Sequence, residues 1–200
     1  MSDVSPTGLT VIDEVEGGGR TLIFTSRLVM AANTTLQLSL LFAFLYLRAN
    51  NFGGMWHPST TGTPPQALAL ISVAFPVIAL VALWAVWNAV SKARDSNAVS
   101  GLLWLALLAA VLTGAVRILL MYQFNWELDS AGTYADLSTI WYGVLLGEFI
   151  LVGLWLLSLV MGHVRGNDRL SVSHARAVLD QWAYITGVSI AVYLLVQYVK

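Results

Sequence analysis

Residues 67–90 read ALALISVAFPVIALVALWAVWNAV, and this stretch decides the class of the protein. Ser72, Pro76 and Asn88 are its only interruptions before Lys92-Ala93-Arg94-Asp95 ends it. An α-helix rises 1.5 Å per residue, so about 20 apolar residues cross a hydrocarbon core of roughly 30 Å. Working outward, four more stretches satisfy the same requirement: Leu22 to Leu47, Gly101 to Tyr122, Ser138 to Met161 and Ala177 to Val199. The prediction is an all-α membrane protein with five transmembrane helices. Its composition fits, with 58% apolar residues, 10% charged residues and a mean hydropathy of +0.73, whereas soluble domains carry roughly 25% charged residues.

The same composition excludes several classes of function. Ten basic and eleven acidic residues give a net charge of −1, which leaves no basic surface for a phosphate backbone, so no nucleic acid is expected. With no cysteine, thiolate metal sites and disulfide scaffolds are excluded. The three histidines, His57, His163 and His174, each lie in or beside a polar connection, so they cannot face one another within the membrane around a haem or metal. No Ser-His-Asp order, phosphate-binding glycine loop or helically spaced carboxylate pair occurs in a span. The expectation is that this chain has no catalytic residue and binds no cofactor or metal itself. Trp56-His57-Pro58 reads as an interfacial anchor in a Pro-shaped loop, and Trp87, Trp126, Trp141, Tyr142 and Tyr198 as an aromatic belt.

Residues 1–19 carry Asp3, Asp13, Glu14, Glu16 and a Gly17-Gly18-Gly19 run, and read as an acidic extramembrane tail rather than a signal peptide. Residues 20–200 form the five-helix domain. Arg20, Arg27, Lys92, Arg94, Arg165, Arg169 and Arg176 fall on one side of the five spans, and Arg48 and Lys200 on the other. By the positive-inside rule the N-terminus is cytoplasmic and the C-terminus external.

Ionisable residues inside a span cost several kcal/mol unless paired or solvated. Arg117 and Glu148 are the two such residues far from the span ends. Counted at 1.5 Å per residue from the same outer face, Arg117 lies about 10 Å deep and Glu148 about 15 Å, on helices expected to be adjacent and antiparallel. They read as a buried ion pair that fixes packing, or alternatively as a proton or ion site. Asn33, Thr34, Gln37 and Ser39 recur on one face of the first helix and predict that this helix faces protein for most of its length, with those residues buried. Gly143 and Gly147 form a small-xxx-small spacing that predicts close approach of another helix. Arg27 and Asp180 lie about one turn into their spans and are within reach of pairing with each other, but the favoured expectation is that both snorkel to the headgroups.

The segment Leu41-Phe42-Ala43-Phe44-Leu45-Tyr46-Leu47-Arg48, the following loop with Trp56, Pro58 and Pro64-Pro65, and the Ala/Leu-rich helix after it carry a family resemblance. They resemble the third and fourth helices of haem–copper oxidase subunit III (the cytochrome c oxidase subunit III-like family). Leu102 to Gln123 with Trp126-Glu127 is similar to that family's fifth helix and loop. Ser138 to Gly143 leading to Gly153-Leu154-Trp155 is similar to its sixth, and Trp182 with the ending from Tyr193 to Tyr198 to its last. The chain departs from the family at three places. Asn33 or Thr34 stands where a buried Glu is usual, the span around Tyr142 to Glu148 has no histidine, and the final Trp-His-Phe-x-Asp becomes Trp182-Ala183-Tyr184-Ile185-Thr186. Glu148 is then a carboxylate with no counterpart in the family.

The resemblance implies the short, five-helix form of the subunit, in a prokaryotic cytoplasmic (inner) membrane. It also implies a non-catalytic accessory role in a hetero-oligomeric respiratory-chain oxidoreductase complex. Such a subunit packs against the catalytic membrane oxidase subunit and holds phospholipid, while haem and copper belong to partner subunits. Two alternatives stay open: an accessory subunit of another membrane metal-dependent oxidase, and a small transporter or channel using Arg117 and Glu148. A transporter predicts a water-filled cavity inside the helices, whereas a subunit predicts a lipid-lined cleft.

Overall fold

The computed structural model describes residues 11–51, 56, 65–92, 96–123, 132–165 and 171–199, with 11–17, 96 and 123 in backbone only. Its regular structure, among these residues, is helical throughout: α1 (Val11–Ala49), α2 (Gln66–Ser91), α3 (Ser96–Gln123), α4 (Gly132–Val164) and α5 (Val172–Tyr198). All five helices are long and apolar enough to cross a membrane, and the chain is accordingly a multi-pass membrane protein.

The helices overrun the apolar stretches because hydrogen bonding along an established helix continues into polar sequence at little cost. α4 starts at Gly132, before Ser138, and α5 starts at Val172, before Ala177. At the head of α5 the Ser171 side chain accepts a hydrogen bond from the His174 backbone N–H at 3.2 Å, and its hydroxyl lies 2.8 Å from His174 Nδ1. That histidine is part of a helix cap. α1 likewise begins at Val11, within the stretch read as a tail.

α2, α3, α4 and α5 close a ring in that order, each packed on the next and α5 back on α2. α1 lies outside the ring against α4 and α5, and among the described residues it packs on neither α2 nor α3. Close packing in the ring comes from small side chains. α2 buries Ala69, Ser72, Ala79, Ala82 and Ala89 along one face, and α3 buries Ala106, Ala109 and Ala110. In lipid, where apolar burial gives no net driving force, such close backbone approach and specific hydrogen bonds hold helices together. One of these bonds joins α5 to α2: fully buried Trp182 donates its indole N–H to the Pro76 carbonyl at 2.9 Å and packs edge-on against Phe149.

The expectation that α1 faces protein along most of its length does not hold. Only 11% of its most apolar stretch is buried, against 50% for α5. Gln37 is buried and Asn33 and Thr34 are half-buried, but Ser39 is exposed and returns its hydroxyl to the Thr35 carbonyl at 2.9 Å. A helix that touches two neighbours on one side leaves the other side outward, and an intrahelical hydrogen bond lets a Ser or Thr face lipid.

The aromatic residues are also redistributed. Trp56, predicted as an interfacial anchor, is 4% exposed and sits in a cluster with Phe44, Tyr134 and Trp141. Its backbone is pinned on both sides, since its N–H donates to Asn51 Oδ1 at 2.8 Å and its carbonyl accepts from the Tyr134 N–H at 2.9 Å. Trp141 and Tyr142 are buried as well, so neither belongs to a belt. Tyr198 is exposed, Trp87 is half-buried under Arg176, and His57 and Trp126 lie outside the described residues. Asp180 pairs with Arg176 at 2.9 Å within α5, not with exposed Arg27.

Candidate functional site

Two apolar clusters occupy the two ends of the bundle. One contains Leu83, Leu103, Phe149, Leu156 and Trp182, the other Phe44, Leu120, Trp141, Leu145 and Val192. Between them every element of the ring and α1 carries polar residues at the same height: Ser72 on α2, Thr113 and Arg117 on α3, Glu148 on α4, Thr186 and Ser189 on α5, and Gln37 on α1. A polar layer between apolar layers is costly unless its groups find partners, so its hydrogen bonds define the site.

Arg117 is the largest polar side chain in this layer and is 1% exposed. α3 and α5 face each other across the ring without packing directly, and Arg117 bridges them by donating from Nη2 to Ser189 Oγ. Its guanidinium lies 4.7 Å from the centre of the Phe149 ring and 5.9 Å from that of Tyr142. Those two aromatic residues are seven apart on α4, two turns along one face. Arg117 Nε and Nη1 are buried with no hydrogen-bond partner among the described residues. Its positive charge is therefore held mainly by ring faces, an interaction worth about 2 kcal/mol when desolvated.

Glu148 is near Arg117 but does not pair with it. The two groups are close enough to interact electrostatically, which agrees with the depth expected from counting residues. The next residue, Phe149, points into the ring, and a helix turns 100° per residue, so Glu148 projects toward α1 instead. There its Oε1 accepts from Gln37 Nε2 at 2.6 Å, while Gln37 Oε1 accepts from Trp141 Nε1 at 2.7 Å. An indole nitrogen can only donate. The Gln37 amide is therefore oriented without ambiguity, carbonyl to Trp141 and amino group to Glu148. Glu148 Oε2 is buried, with the Asn33 side chain beside the carboxyl group as its second amide neighbour.

The other predicted packing residues divide. Thr34 joins α1 to α5, its hydroxyl 3.1 Å from the Tyr184 hydroxyl and 2.8 Å from the Met30 carbonyl. At Gly147 the predicted close helix approach is absent: an added Cβ would meet nothing within 4 Å, because α1 stands off there and leaves an opening. At Gly143 the nearest atom would be Met121 Cε at an ordinary 3.8 Å. The close approach occurs instead at Gly19, where an added Cβ would lie 2.6 Å from Ser173 Oγ.

The opening beside Gly147 is a cavity of about 540 Å³ between α1, α4 and α5. Leu36, Val29, Leu151 and Trp155 line it, with Glu148 and Asn33 at one station and Ser26, Thr25 and Gln181 at another. Gln181 donates to the Ser26 carbonyl at 2.8 Å and Ser26 lies within 3.5 Å of the Ala177 carbonyl, so the second station ties α1 to α5. Val29, Leu36 and Leu151 are among its exposed residues, so the cavity opens sideways between helices rather than along the bundle axis.

Sequence reasoning missed Trp141, Ser189 and Gln181 as members of this site. The signal for Gln181 was its amide inside a span; Trp141 and Ser189 carried none, since an indole or a serine in a membrane helix is ordinary. Among the described residues no group of three or more His, Asp or Glu is placed to hold a metal ion. Compared with known protein families and with curated protein sequences, the chain matches none of them.

Proposed function

We propose that the chain is a non-catalytic, subunit III-like accessory subunit of a membrane oxidoreductase complex, with a haem–copper respiratory oxidase as the complex of choice. In this reading the N-terminus lies on the cytoplasmic side of a prokaryotic inner membrane, and haem and copper belong to partner subunits. The observation that carries this reading is the position of the cleft. It opens laterally between α1 and the α4–α5 side of the ring and has a mostly apolar lining, as suits phospholipid held against a partner. A transporter using Arg117 and Glu148 needs a wet route joining them. Arg117 instead lies among aromatic rings inside the ring of helices, and Glu148 faces away from it toward α1.

Purification from the native membrane in mild detergent tests the reading. The expected result is a complex larger than the 21.7 kDa chain, containing a second membrane subunit and showing haem absorption that this chain alone lacks. A chain that migrates alone from a membrane whose oxidases remain complete overturns it.

A further inference from the structure

On another face of the ring, α2 and α5 leave a groove of about 430 Å³ between them, with Arg176 and Asp180 as its charged residues. The two helices run antiparallel: Trp182 on α5 bonds Pro76 on α2, and Arg176, earlier on α5, lies over Trp87, later on α2. Trp87 stands four residues before the end of α2, and Arg176 four after the start of α5, so the charged end of the groove lies at a membrane surface. Its apolar end, at Leu80 and Ala183, is seven residues further along each helix, or about 10 Å deeper at 1.5 Å per residue. Charges at the surface with an apolar channel below them follow the depth order of a phospholipid. Arg176 is also held in place, its guanidinium 5.0 Å from the centre of the Trp87 ring and its Nε 2.9 Å from Asp180 Oδ1. Nε is one of five donors on the guanidinium, and the carboxylate has a second oxygen. The two side chains remain 42% and 20% exposed, so a ligand can reach both.

We propose that the α2–α5 groove binds a phospholipid with a phosphoethanolamine headgroup, the phosphate on Arg176, the ammonium on Asp180 and an acyl chain along Leu80, Val81, Trp84, Leu179 and Ala183. The charges that line the groove select this headgroup. One cation and one anion stand side by side, and phosphoethanolamine carries one of each in complementary order. A guanidinium donates well to phosphate oxygens, and a primary ammonium has three N–H groups for a carboxylate. An anionic headgroup could pair with Arg176, but it would bring its phosphate beside the Asp180 carboxylate with no second cation to offset it. Lys92, past the end of α2, does not line the groove. A phosphocholine headgroup has both charges but no N–H on its quaternary nitrogen, so Asp180 gains no hydrogen bond from it. Val81 and Trp84 are exposed, which opens the groove sideways to the lipid phase. The inference goes beyond the accessory-subunit reading and does not rest on it, since the groove is separate from the α1–α4–α5 cleft and every residue named belongs to this chain.

Native mass spectrometry of the full chain in mild detergent tests it, with phosphatidylethanolamine, phosphatidylcholine and phosphatidylglycerol of identical acyl chains added in turn. The first lipid-bound species is expected at about tenfold lower concentration of phosphatidylethanolamine than of either other lipid, the equivalent of one charge-assisted hydrogen bond of about 1.4 kcal/mol. Asp180→Asn keeps the size of the side chain and should bring phosphatidylethanolamine to the phosphatidylcholine level, while phosphatidylglycerol binds better than before. Arg176→Gln should weaken all three. Ala183→Trp, at an exposed position, fills the apolar end and should also weaken all three while leaving both charges in place. Circular dichroism of each variant separates loss of the site from loss of the fold. Equal binding of the three lipids, tighter binding of phosphatidylglycerol to the parent chain, or an ethanolamine preference that persists in Asp180→Asn overturns the proposal.

Discussion

Arg117→Ala is expected to destabilise the folded bundle by about 3–5 kcal/mol, the range for emptying a large buried site, with loss of its desolvated cation–π contacts and its bond to Ser189. The sign follows from the reference state in a membrane. When the helices separate, an arginine at this depth loses the Phe149 and Tyr142 faces and the Ser189 hydroxyl and gains only lipid or a strained path to the headgroups. The charge therefore favours association even though no carboxylate touches it. Arg117→Met keeps most of the volume and is expected to cost about 1–2 kcal/mol, because packing survives and only the polar contacts are lost. Arg117→Lys should fall nearer Ala than Met, since an ammonium is shorter and cannot lie flat on a ring. Unfolding of the purified variants in mixed micelles measures all three. An Arg117→Ala variant within about 0.5 kcal/mol of the parent, the range of inert surface substitutions, would show that the guanidinium does not hold the ring together.

Gln37→Leu should cost about 2–4 kcal/mol, because it leaves two buried groups unpaired at once, the Trp141 indole N–H and the Glu148 carboxyl group. The effect is expected mainly on α1. That helix is the least buried of the five, so the bonds from Gln37 to α4, from Thr34 to α5 and between Ser26 and Gln181 supply much of what fixes its position. Glu148→Leu alone should be destabilising too, but combining it with Gln37→Leu removes the orphaned carboxyl group and should cost clearly less than the two changes added. Residues that share a hydrogen bond show such coupling, of about 0.5–3 kcal/mol. Strict additivity in the double-mutant cycle would mean that the bond between them contributes nothing to seating α1.

The sequence was legible where a pattern has one physical cause. Five long apolar stretches admit only five helices, and the in-span charges at 117 and 148 stood out because hydrocarbon makes ionisable residues expensive. Their heights along the helices were countable, since each residue adds 1.5 Å. Their partners were not. Whether Glu148 meets Arg117 or Gln37 depends on the rotation of α4 about its own axis, and adjacent residues on that helix face directions 100° apart. Gly143 and Gly147 misled for a related reason: the spacing gives a smooth helix face but does not say that a helix lies against it. The α1 stripe was half right, because Asn33, Thr34 and Gln37 turn toward α4 and α5 while Ser39, two residues and about 200° beyond Gln37, faces outward. The burial of Trp56 was beyond reach, since a loop residue folded into the bundle leaves no periodicity to read.

The cleft beside Glu148 is expected to open to lipid and not to water, and a nitroxide placed at residue 147 measures this directly. The chain has no cysteine, so Gly147→Cys provides a single attachment point, at a position where an added side chain meets nothing within 4 Å. Oxygen dissolves in hydrocarbon, and a charged nickel chelate stays in water; each relaxes a nitroxide that it can reach. The predicted result in lipid bilayers is strong relaxation by oxygen and almost none by the nickel chelate. Strong relaxation by the nickel chelate would mean that water fills the space beside Glu148, and would contradict the accessory-subunit reading.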